Sequence, residues 1–103
     1  MENAVSSLSE LFNSPTAYIL DAMMREATRE MTAADLAKKT VLGKSTVHRY
    51  LHALQGFDLL CKGRILGSTA ATYRLNMENE IVKSLFKIAG CIDDSNQSSR
   101  HRV

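Results

Sequence analysis

At 103 residues and 45% hydrophobic side chains, the chain suits one globular domain with a modest core, and a chain of this size often gains stability by pairing. No apolar run approaches the roughly 18 residues that span a bilayer, Met1-Glu2-Asn3-Ala4 does not open a signal peptide, and two cysteines make no disulfide framework, so a cytoplasmic protein is expected. The net charge of +2 conceals a segregation: residues 1–37 carry six acids and two bases, residues 38–74 seven bases and one acid, and residues 75–103 balance.

Ser7-Leu8-Ser9-Glu10 has the form of a capping box, followed by Leu11 and Phe12 on the face of Leu8. Ser14-Pro15 is the next start signal, an N-cap followed by proline at the first helical position. Ile19, Leu20, Met23, Met24 and Ala27 then recur at helical spacing, with Asp21, Arg25, Glu26 and Arg29 mostly on the other side. Glu30-Met31 is a short extended link. Thr32-Ala33-Ala34-Asp35 reads as a second capping box, with Met31 and Leu36 placed to form a hydrophobic staple. Thr40-Val41-Leu42-Gly43 interrupts that helix, and a third runs from Lys44 to about Gln55 on the stripe Val47, Tyr50, Leu51 and Leu54.

Gly56-Phe57-Asp58 ends the third helix. Leu59 to Arg64 and Thr72 to Leu75 read as two strands of a hairpin around Gly67-Ser68-Thr69-Ala70, with Tyr73 and Leu75 alternating against Thr72 and Arg74. Asn76 or Asn79 caps a last helix carrying Ile81, Val82, Leu85, Phe86, Ile88 and Ala89. Asp93 to Val103 is polar, Ser-rich and without apolar period, and is expected to be disordered. Cys61, in a strand, and Cys91, near the end of a helix, are expected to be buried thiols.

Helix, helix, turn, helix, hairpin, helix is the winged helix-turn-helix order, a mainly α fold with a small β-hairpin wing. The expected organisation is an N-terminal helical extension over 1–14, a DNA-binding domain over 15–76, a dimerisation helix over 77–92 and the tail over 93–103. The basic middle block is the footprint of a surface that faces a polyanion. Lys44, Ser45, Thr46, His48, Arg49 and His52 lie outside the apolar stripe of the third helix and supply donors that fit a major groove. Lys38, Lys39, Lys62, Arg64, Ser68 and Thr69 are placed to contact the backbone around it.

Lys44-Ser45-Thr46-Val47-His48-Arg49-Tyr50-Leu51 followed by Leu54 resembles the recognition helix of winged-helix transcription regulators, broadly of the arsenical-repressor and isocitrate-lyase-regulator kinds. A longer resemblance, to small archaeal winged-helix regulators, covers about residues 8–90. It runs from Leu11-Phe12-Asn13-Ser14-Pro15 through Ile19-Leu20-Asp21 to Tyr73-Arg74-Leu75-Asn76-Met77-Glu78-Asn79 and Ile81-Val82-Lys83. It implies a DNA-binding regulator with Ser45, Thr46, His48 and Arg49 at the DNA. The chain departs from it at Gly43, commonly Ser, which offers no hydroxyl to a phosphate. It departs again at Asp58, commonly Gly, where Asp tolerates a left-handed backbone better than most residues.

A sequence-specific repressor of palindromic double-stranded DNA is therefore expected, with an architectural or protein-interaction winged helix as the alternative. The last helix carries more apolar surface than one side requires. Leu8, Leu11, Phe12, Ile81, Leu85 and Ile88 are accordingly expected at a homodimer interface, the alternative being that they cover one another within the chain. His48 and His52 have the spacing of a shared metal site, but no carboxylate or Cys joins that face, and no metal or other cofactor is expected. No phosphate loop or activated nucleophile is present, so the chain is not expected to be an enzyme, and no small-molecule ligand is evident.

Overall fold

Three of the helices begin at a side-chain cap that the sequence supplies. In the computed structural model, which describes residues 7–26, 29–64, 67 and 70–101, the order is α1 (Ser7–Leu11), α2 (Pro15–Arg25), α3 (Ala33–Thr40), α4 (Lys44–Gly56), β1 (Leu60–Arg64), β2 (Ala71–Leu75) and α5 (Glu80–His101). This is the winged helix-turn-helix order. The Ser14 hydroxyl accepts from the Ala17 amide at 3.3 Å and opens α2. Thr32 and Asp35 form the reciprocal capping box of α3, at 3.1 and 3.0 Å. Asn79, of the two candidates, caps α5: its side-chain oxygen accepts from the amides of Ile81 at 2.7 Å and Val82 at 3.3 Å.

The core lies where α2, α3 and α4 converge under the hairpin. Ile19, Met23, Met31, Leu36, Val47, Leu51 and Leu75 are essentially fully buried. The hairpin is antiparallel, pairing Leu60 with Leu75, Lys62 with Tyr73 and Arg64 with Ala71. Met31 adds a one-residue strand to it, exchanging two backbone hydrogen bonds with Tyr73 at 2.9 and 2.8 Å. The extended link before α3 is thus fastened to the wing.

Four features differ from the expectations. Asp21 is buried rather than solvent-facing, and its carboxylate accepts from the amides of Leu8 at 2.8 Å and Ser9 at 3.0 Å. A side chain from α2 therefore satisfies the orphan amides of α1. Thr72 is also buried, because its hydroxyl donates to Glu30 at 2.5 Å. Neither cysteine is fully buried: Cys61 is half-buried on the wing, and Cys91 is exposed on the outer side of α5. Finally, α5 continues to His101 instead of yielding to an irregular tail at 93, and no proline or glycine after Gly90 interrupts it.

Candidate nucleic-acid interface

Helix α4 is held by one side only. Val47, Leu51 and Leu54 are buried, while Lys44, Ser45, His48, Arg49 and His52 are exposed and Thr46 is half-buried at the edge. Tyr50, expected in the core stripe, is only half-buried. Its ring lies 5.4 Å from the Arg49 guanidinium carbon, a cation–π arrangement that steadies the long arginine side chain on the helix surface. Gly43 is the N-cap and makes no side-chain bond, so the first-turn amides of α4 lack a side-chain cap and face outward beside Lys44.

The turn into α4 is strained. Val41 ends α3 in the left-handed region (φ 61°, ψ 21°), uncommon for a β-branched residue, and its side chain is 92% exposed. Asp58 beyond the far end of α4 has φ 60°, the conformation expected for it. The Asn76 and Asn79 amide groups each donate to the Asp58 carbonyl at 3.0 Å, which holds the turn after α4 against the start of α5.

Alternation along β1 puts Lys62 and Arg64 on one face of the hairpin, the face of their cross-strand partners Tyr73 and Ala71. Tyr73 and Ala71 line a recess together with Lys44 and His48 of α4. The wing cations thus stand on the side of the hairpin that looks toward α4. Lys62, Arg64 and Lys38 are exposed. Among the described residues no carboxylate forms an ion pair with Lys38, Lys44, Arg49, Lys62 or Arg64. Lys39 is different. Its ammonium lies 2.7 Å from Glu26, which also takes Arg29 at 2.6 Å, and the two hydrogen bonds hold the Glu26 carboxyl below its ordinary range. Ser68 and Thr69 lie outside the described residues.

The residues expected at a dimer contact divide. Leu8 is buried in the chain's own core beneath α2, which removes it from any contact surface. Leu85 is half-buried against that core. Leu11 and Phe12, at the end of α1 and just after it, and Ile81 and Ile88 on α5 are exposed, and α1 and α5 pack against each other.

The fold and this cationic face define the class: a winged helix-turn-helix whose α4 keeps its outer side free. Residues 16–61, from α2 into β1, match the model of the IclR helix-turn-helix domain. No curated protein matches the chain. Several solved winged-helix structures share its fold. A point mutant of Lactococcus lactis ZitR superposes with a TM-score of 0.64 at 17% identity, over 99% of this chain and 65% of that one. The adhesin competence repressor AdcR of Streptococcus pyogenes gives 0.66 at 18% identity, over 92% and 69%. Wild-type L. lactis ZitR in complex with DNA gives 0.60 at 19%, over 82% and 57%. The chain therefore spans about two thirds or less of the length of these two ZitR chains.

Proposed function

We propose that the chain is a sequence-specific, double-stranded DNA-binding transcription regulator that acts as a repressor. The observation that carries this reading is the division of α4, whose apolar side is locked into the core while Lys44, Ser45, His48 and Arg49 bond to no carboxylate among the described residues. Arg49 and its neighbours in the first two turns read base edges. Lys38, Lys62 and Arg64 hold the duplex by its phosphates. Lys39 contributes less, since Glu26 already engages its charge. A protein bound over a promoter obstructs polymerase.

The same reading includes a homodimer. The exposed Leu11, Phe12, Ile81 and Ile88 form the apolar surface that a second copy would cover. A two-fold axis there presents two recognition helices to a near-palindrome, with half-sites about 34 Å apart or a multiple of that. The test is selection from a random duplex pool, followed by competition between the selected duplex and random duplex at several salt concentrations. The selected site is expected to bind at least ~10³ tighter. Equal affinity for both would contradict sequence-specific regulation and favour an architectural role.

A further inference from the structure

Between α3, α4 and the hairpin lies a recess of about 400 Å³. That is within the range of small-molecule sites. Its walls include Ala33, Ala34 and Ala71, and its lining also includes Tyr73, Lys44 and His48. Methyl groups and a ring offer nothing to a phosphate, whose oxygens need donors on several sides. The Thr32 hydroxyl, also in the lining, accepts from the Asp35 amide and keeps its own O–H to donate. Lys44 supplies a free ammonium, and His48 supplies an N–H in either charge state. Tyr73 is only 6% exposed, and its hydroxyl has no hydrogen-bond partner among the described residues. Tyr73 lines the recess, so a hydroxyl without a partner among those residues is available to one from outside.

We propose that this recess binds a small organic acid with a ring-sized apolar body. Its carboxylate would take Lys44 and His48, and the Tyr73 hydroxyl would supply a further polar partner. The binding claim stands on the recess alone. Its regulatory consequence rests on the DNA reading of α4: an acid bound there occupies two groups assigned to DNA, so acid and DNA compete. By linkage, each weakens the other by the same factor.

The experiment is calorimetric titration of the full chain with benzoate, benzyl alcohol and acetate at fixed ionic strength and without DNA. Benzoate is expected to bind saturably, one per chain. Benzyl alcohol lacks the charge and acetate lacks the ring, and each is expected to bind at least about tenfold more weakly. Tyr73→Phe should weaken benzoate severalfold with an unchanged melting temperature, and Ala34→Leu, which fills the recess, should abolish binding. On the selected duplex, saturating benzoate should raise the Kd of the wild type but not of Ala34→Leu. The proposal is overturned if benzoate fails to saturate, if acetate matches it, or if both variants bind it like the wild type. Because the isotherms are recorded without DNA, they stand or fall separately from the DNA titration.

Discussion

Asp21 joins two helices through one carboxylate. Because it is buried and accepts from the Leu8 and Ser9 amides, truncating it strands the buried Leu8 donor. Asp21→Ala is expected to lower stability by about 2 kcal/mol in urea unfolding; an unchanged midpoint would mean that the α1 amides find another acceptor. Val41 is the opposite case, a residue that its conformation penalises. Asn tolerates the left-handed region without the added chain entropy of glycine, so Val41→Asn should stabilise by about 1 kcal/mol. The check is a thermal melt without DNA, and a lower melting temperature would show that the Val41 side chain makes compensating contacts. Neither effect is visible in the sequence. Asp21 follows Leu20 on a helix whose polar residues otherwise face water, and nothing local reports that a second helix places its amides over it. Val41 sits where a turn was legible, but nothing in a β-branched residue announces a left-handed backbone.

At the scale of elements, caps and periodicities carried most of the information. The Thr32–Asp35 box, the Ser14-Pro15 start and the α4 apolar stripe all stand in the structure, because each depends on contacts within a few residues. The Met31–Tyr73 bridge and the Glu30–Thr72 bond connect residues about forty apart in the chain and leave no local signature. The α3 box makes a pH prediction. The Thr32 backbone N–H holds the Asp35 carboxyl below its ordinary value, with burial opposing and the Thr32 side chain assisting. A carboxyl depressed in the folded state contributes stability above its unfolded pKa and loses that contribution as pH falls through the folded value. Asp35→Asn should therefore be less stable than wild type at pH 6, with the gap narrowing toward pH 3 in parallel urea titrations. A gap independent of pH would mean that the cap acts without its charge.

For the whole molecule, the charge segregation was the informative sequence property, since it singled out the block that becomes α4 and the wing. Which apolar residues remain outside the core was less legible, because helical periodicity gives a face and not its neighbour. Leu8 and Leu85 turn inward, while Leu11, Phe12, Ile81 and Ile88 remain exposed. The informative dimer variant is therefore Ile88→Glu, which places a charge on the exposed face without entering the core. It is expected to halve the mass measured by light scattering while leaving the melting curve cooperative. An unchanged mass would remove α5 from the interface.

Sequence-specific binding by this fold depends most on α4 entering the groove by its free cationic side. Its most direct test is to measure Arg49→Ala and Arg64→Ala on the selected duplex and on random duplex across a salt series. Arg49→Ala is predicted to lose about 1–3 kcal/mol on the selected site and little on random duplex. Arg64→Ala should weaken both alike and reduce the salt slope by about one. Equal losses from Arg49→Ala on both duplexes would contradict the assignment of α4 as the reading helix.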